Sequence, residues 1–177
     1  MSKFEPAQGI DGIWIRSLDL NFDDRGYFTE VLRTNDLPEG VPNFVQDSIS
    51  SSKKNVLRGM HIQLEQWQLI TLLEGRIVDV LLNLDRKSQS FRKSTSFNLS
   101  WDAMNQLLVA PGIAHGFAVI SDNVKIHYKS SVYYGSTEQF GVRWNSSEIA
   151  NYWPQKDWVV SARDYDFPII SDLIVNP

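Results

Sequence analysis

The chain has no cysteine and only three histidines and three methionines among its 177 residues. Without thiols there is no disulfide scaffold, thiolate metal site, zinc finger or cysteine nucleophile, and the composition fits a reducing compartment. Positive charge is not in excess. The 17 Lys and Arg face 21 Asp and Glu for a net charge of −4, which argues against nucleic acid as a partner. Long hydrophobic runs are missing too. The longest, within residues 77–84, is far too short to cross a bilayer. The opening MSKFEPAQGIDG has no apolar core of the kind a signal peptide needs. A soluble, cytoplasmic protein with no membrane partner is expected. What is present, 42% hydrophobic and 12% aromatic residues, is enough to build one compact domain over residues 1–177.

The segments read as strands. Residues 13–15, 28–32, 45–50, 69–73, 77–84, 107–110, 117–120 and 125–134 are rich in β-branched, aromatic and leucine side chains. Turn-forming sets at 23–26, 38–42, 51–55, 74–75, 111–112 and 121–123 separate them. Apolar residues seldom recur at helical spacing, and one short helix is expected over 146–152, capped by Ser146 or Ser147 and ended by Pro154. Many short strands at regular spacing predict an all-β fold, a jelly-roll β-sandwich or barrel with few short helices. The run Ile77-Val78-Asp79-Val80-Leu81-Leu82-Asn83-Leu84 is apolar on both faces for part of its length. Such a strand lies centrally, with the core on one side and, as the favoured reading, a partner subunit on the other.

The three histidines, His61, His115 and His127, focus the search for chemistry. Alternation over Arg58-Gly59-Met60-His61-Ile62-Gln63 puts Arg58, Met60 and Ile62 on one face, and Gly59, His61 and Gln63 on the other. If the second face lines a barrel interior, His61 and Gln63 project into a cavity. Pro111-Gly112-Ile113-Ala114-His115-Gly116-Phe117 carries His115 out of a turn into a strand. A glycine beside each of these two histidines allows a close approach to the backbone. A metal-binding barrel wants a histidine where Gln63 stands, and an amide is a poor ligand for a transition metal. No metal or other cofactor is expected. Proton transfer suits the set better, because histidine titrates near neutral pH and a carboxylate partner fixes its tautomer. Asp164, in Ser161-Ala162-Arg163-Asp164, is the candidate partner. Tyrosine is a plausible acid from the opposite side, and strand alternation over 125–134 groups Tyr128 with Tyr134. Arg25 and Arg58, each next to a glycine, suit a phosphate or diphosphate.

Taken together, Asp24-Arg25-Gly26-Tyr27-Phe28-Thr29-Glu30, Leu57-Arg58-Gly59-Met60-His61-Ile62-Gln63, Gly75-Arg76-Ile77-Val78-Asp79-Val80, Ala114-His115-Gly116-Phe117, Tyr133-Tyr134 and Ser161-Ala162-Arg163-Asp164 resemble the dTDP-4-dehydrorhamnose 3,5-epimerase family. These are cupin-type enzymes acting on nucleotide-linked 4-keto-6-deoxy sugars. The resemblance implies His61 as the base, Asp164 as its dyad partner and Tyr128 as the acid. It implies Arg25, Arg58 and His115 as diphosphate and sugar contacts, Phe28 and Tyr134 around the nucleotide base, and Glu30 and Gln46 nearby; Gln63 and Gln68 complete the candidate substrate contacts. It also implies a homodimer that exchanges strands, with the strand bearing Arg25 to Glu30 lent to the neighbouring subunit. Where the family usually has a lysine holding the enolate oxygen, this chain has Gln68, and its Gln46-Asp47-Ser48-Ile49-Ser50 replaces the family's Gln-x-Asn-x-Ser. The shortened loop before Gln68 looks like that of relatives acting on CDP- or GDP-linked sugars or heptoses. The expected activity is inversion at C3, C5 or both, in surface-polysaccharide or deoxysugar biosynthesis. The alternatives are a catalytically silent nucleotide-sugar-binding protein and a sugar 3,4-ketoisomerase.

Overall fold

The computed structural model describes residues 3–136 and 139–175. Strands β1 (Glu5–Pro6), β2 (Ile13–Ser17), β5 (Gln46–Lys53), β7 (Gln68–Glu74), β10 (Asn105–Val109) and β12 (Asn123–Ser130) form one sheet in the order β1-β2-β10-β7-β12-β5. A second sheet has the order β13-β6-β11-β8-β9, from β6 (Leu57–Gln63), β8 (Arg76–Asn83), β9 (Ser94–Ser100), β11 (Ile113–Val119) and β13 (Gln139–Gly141). The paired strands in both are antiparallel. The sheets stack as a jelly-roll sandwich, the expected fold class. A separate hairpin, β3 (Asn21–Asp23) with β4 (Gly26–Phe28), stands apart from both sheets.

Period-2 alternation builds the core. Ile70, Leu72, Leu107, Val109 and Ile126 from the first sheet pack against Ile77, Leu81, Leu99, Ile113 and Val119 from the second. Each such side chain, fully buried, contributes about 1.5–3 kcal/mol. The intervening residues of β6, β8 and β11, including Met60, Ile62, Val78, Val80, Leu82 and Ala114, form a further apolar layer with Val142, Ile149, Trp153 and Ile170. The second face of the 77–84 strand is therefore covered by the chain's own C-terminal segment. This removes the expectation of a partner subunit there, because burial is supplied within the chain. The outer face of the six-stranded sheet is covered in the same way: Leu69 and Leu108 pack with Leu32, Leu37, Val41 and Phe44 from the strap 31–45.

Several boundaries differ from the sequence reading. Strand 28–32 shrinks to the end of the hairpin, because Leu32 is drawn onto the outer face of the sheet and out of any ladder. Residues 51–53 continue β5. The last strand of the first sheet stops at Ser130, so Tyr133 and Tyr134 lie in the turn that follows. The expected helix at 146–152 is one 3-10 turn, Ala150–Tyr152. Ser146 buries its hydroxyl between the Arg143 carbonyl and the Ile170 N–H and caps nothing. β9 and two short helices, α1 (Ala162–Tyr165) and α2 (Asp172–Val175), were not anticipated.

Candidate active site

At one end of the sandwich the apolar filling gives way to polar side chains around a cleft of about 290 Å³. Register explains the change. On the six-stranded sheet the row inward of Ile70 and Ile126 continues into Tyr128 beside Ser48, then Gln68, Ser130 and Gln46. From the facing sheet come Arg58, His61, Gln63 and His115. His61 and His115 are cross-strand partners on β6 and β11.

Arg58 lines the same cleft as His61, against the simple alternation expected from sequence. Three steps along β6, from Arg58 to His61, match only two along β11, from Phe117 to His115. The extra residue is a β-bulge, which returns Arg58 to the cleft face while Leu57, Met60 and Ile62 face the outer layer. Gly59 makes it feasible. Its φ is +117°, and a Cβ there would lie 2.6 Å from Gly116 Cα and 2.8 Å from the His115 carbonyl oxygen. The glycines beside the two histidines thus admit each other's strand rather than a ligand.

Asp164 reaches His61 across a sequence separation of 103 residues. Val159 runs alongside the start of β6, paired with Val56 and hydrogen-bonded to Asn55 and Leu57. Ser161 then caps α1, its hydroxyl accepting the Asp164 N–H at 3.1 Å. One Asp164 oxygen lies 2.9 Å from His61 Nε2 and the other accepts the Gly59 N–H at 3.0 Å. Burial works against charge on Asp164, but the His61 and Gly59 hydrogen bonds outweigh it and hold the carboxyl below its ordinary value. An ionised carboxylate only accepts, so Nε2 carries the proton and Nδ1 is the basic nitrogen. Phe167 packs edge-on to His61, with ring centroids 5.9 Å apart.

His115 has its own carboxylate, Asp79, at 2.8 Å. Asp79 is fully buried, and its second oxygen has no hydrogen-bond partner among the described residues. Desolvation pushes its carboxyl up, opposed by His115. The Tyr128 phenol, which accepts from Ser50 Oγ at 3.3 Å, is pushed up to about 12, chiefly by burial. It keeps its proton at neutral pH and is able to donate it. Arg58 is aimed by Ser52 Oγ, 2.9 Å from its Nε. Gln46 is fixed by Ser48 Oγ at 3.1 Å and by the Tyr134 N–H at 2.8 Å.

Of the residues expected in the site, His61, His115, Tyr128, Arg58, Gln46, Gln63, Gln68 and Tyr134 line one cleft, with Asp164 directly behind His61. Arg25, Phe28 and Glu30 do not line it. Arg25 sits on the hairpin, 89% exposed and 2.5 Å from Asp23, Phe28 is exposed, and Glu30 pairs with Arg33. His127 lies outside the cleft and bonds Asp47, which also holds Lys129. Sequence reasoning assigned no role to Ser50, Gln66, Phe117, Ser130, Arg163 or Asp79. The signal for Asp79 was a lone charge inside an apolar run. Arg163 offered only its position beside Asp164.

Known proteins resemble this chain over most of its length. The family model for dTDP-4-dehydrorhamnose 3,5-epimerase matches residues 7–172. The dTDP-4-dehydrorhamnose 3,5-epimerase of Escherichia coli K12 is 37% identical over 159 residues, covering 86% of each chain. The Bacillus anthracis enzyme of that name, solved with TDP and PPi bound, superposes with a TM-score of 0.87 at 34% identity, covering 95% of this chain and 99% of its own. The Legionella pneumophila dTDP-6-deoxy-D-glucose-3,5-epimerase, solved with dTDP-4-keto-L-rhamnose, gives a TM-score of 0.87 at 30% identity, covering 96% and 93%. The chain belongs to the dTDP-4-dehydrorhamnose 3,5-epimerase family, carbohydrate isomerases built on a jelly roll.

Proposed function

We propose that the cleft binds a nucleoside-diphosphate-linked 4-keto-6-deoxy sugar and inverts its configuration at C3, C5 or both, in surface-polysaccharide or deoxysugar biosynthesis in the cytoplasm. A C–H bond beside a ketone is acidic because the electron pair it leaves is delocalised onto the C4 oxygen as an enolate. His61 Nδ1 takes that proton, and the imidazolium is stabilised by Asp164. Tyr128 returns a proton to the same carbon from the opposite face, so the product differs from the substrate in configuration alone. One observation carries the reading: the steadied base and the protonated phenol stand on facing sheets of the sandwich and line the same cleft. Gln68 and His115 are candidate donors to the enolate oxygen, and Arg58 and Arg163 are the cleft's guanidinium groups for the diphosphate.

The exposed hairpin supports a second part of the proposal. Phe22, Phe28 and Arg25 project from the hairpin and are exposed within one chain. In a homodimer that exchanges this arm, they reach a neighbour's cleft and supply the aromatic and cationic contacts for the nucleotide. Incubation with dTDP-, CDP- and GDP-linked 4-keto-6-deoxy sugars in D2O, followed by NMR, is the test. Deuterium at C3 or C5 with at least one of them is expected. No exchange with any would overturn the catalytic reading.

A further inference from the structure

Beneath the strap 31–45, the outer face of the six-stranded sheet carries a buried polar row that the cleft chemistry does not use. Arg16, Gln106 and Thr71 sit directly opposite one another on β2, β10 and β7, and all three are buried. Arg16 Nε donates to Gln106 Oε1 at 2.7 Å, and Gln106 Nε2 donates to Thr71 Oγ1 at 2.7 Å. Both Arg16 Nη2 and Gln106 Nε2 also donate to the Val31 carbonyl oxygen, each at 3.0 Å. The Phe4 ring covers the guanidinium, 4.1 Å from its centroid, and Asp36 lies 3.7 Å from Nη1.

A wholly buried guanidinium carries a desolvation cost that an apolar residue of similar length would avoid. Apolar packing by Leu32, Leu37 and Phe44 already holds the strap to the sheet. What the polar row adds is direction, because hydrogen bonds fix one backbone carbonyl where apolar contact tolerates sliding. That carbonyl belongs to the residue directly after Glu30, at the root of the arm. The arm's other root is tied nearby, where Leu18 N–H donates to the Met104 carbonyl and Thr29 Oγ1 to the Asp19 carbonyl.

We propose that Arg16 and Gln106 are positioning residues of the active site: by gripping the Val31 carbonyl they set the direction in which the arm presents Arg25, Phe28 and Glu30. The inference rests on the reading that this arm completes a neighbouring cleft. Arg16→Met keeps the apolar stem of the side chain and removes the guanidinium's bond to the Val31 carbonyl. The test measures dTDP affinity by titration calorimetry, kcat and KM for the epimerised sugar nucleotide, and amide exchange over residues 20–32. Both the parent background and an Arg25→Ala/Phe28→Ala background are used.

In the parent, Arg16→Met is expected to weaken dTDP binding and raise KM about tenfold, to change kcat far less, and to speed exchange in the arm. In the arm-disabled background the same substitution should add almost nothing, since the two act through one element. An unchanged KM in Arg16→Met, or an equal penalty in both backgrounds, overturns the positioning role and leaves the arm reading standing. A harmless Arg25→Ala/Phe28→Ala overturns the arm reading itself. Gln106→Met, which removes the other bond to Val31 along with the acceptor of Arg16 Nε but leaves the guanidinium's own bond to Val31, carries the same test if Arg16→Met does not fold.

Discussion

Replacing Asp164 by Asn tests the base most directly, because the structure dictates how the amide must turn. One carboxylate oxygen accepts from the Gly59 backbone N–H, a donor with no other role to adopt, and the other faces His61 Nε2. Asn has one acceptor, which Gly59 claims, leaving the NH2 group facing the imidazole. Nε2 must then accept, so the ring proton moves to Nδ1, the nitrogen needed as base. The negative charge is lost as well. Opposite charges about 4 Å apart attract by about 4 kcal/mol at an effective dielectric of about 20. The His61 side chain is 37% exposed, so solvent screening lowers this to roughly 2–3 kcal/mol. That is a factor of about 30–150 in stabilising the imidazolium, before the tautomer penalty. With general-base contributions of about 10²- to 10⁴-fold, kcat for deuterium incorporation should fall about 10²- to 10⁴-fold. Asp164 lies behind His61 and does not line the cleft, so dTDP affinity should hold within about twofold. A loss of less than about tenfold in kcat, with circular dichroism unchanged, would refute the dyad.

Other consequences follow from the same geometry. Tyr128→Phe should abolish or severely slow turnover with the fold intact, and near-parental activity would exclude the phenol as acid. Because the phenol holds its proton to about pH 12 while an unfolded tyrosine ionises near 10, the unfolded state binds fewer protons in that window. Stability should therefore fall from pH 10 to 12, and Tyr128→Phe should flatten the slope in alkaline denaturation. Asp164 has the opposite sign: its lowered carboxyl value contributes stability above the unfolded value near 3.8, lost as pH falls through the folded one. Acid unfolding of Asp164→Asn should accordingly be less steep. Gly59→Ala has neither room nor backbone freedom, at φ +117° against Gly116 and the His115 carbonyl. A loss of at least about 1–3 kcal/mol in urea denaturation is expected, together with lost exchange activity. Gln68→Lys places a cation in the cleft, and an increased exchange rate in the variant would mark enolate support as the parent's limiting feature.

Residue types and short-range spacing determined much of this protein. Alternating apolar residues between turn sets specified a β-sandwich, because a strand's two faces are written two residues apart. The motifs around His61, His115 and Tyr128 pointed to the proton transfer proposed for the cleft, since few side chains exchange protons at neutral pH. Alternation also fails where a bulge intervenes. Nothing local in Arg58-Gly59-Met60-His61 shows the extra residue, which exists only because β11 offers two positions where β6 offers three. The second face of β8 read as a subunit interface because the C-terminal segment that covers it lies more than 60 residues further along the chain. Asp164 was named from its motif, yet its reach to His61 depends on a short capped helix docked beside β6. The Arg16 row was not visible at all, because its members come from strands 90 and 35 residues apart. Periodicity along one strand is local and can be read from sequence. Register between strands, and which segment closes over which face, is settled only when distant apolar surfaces compete for burial and every buried polar group must find its partner.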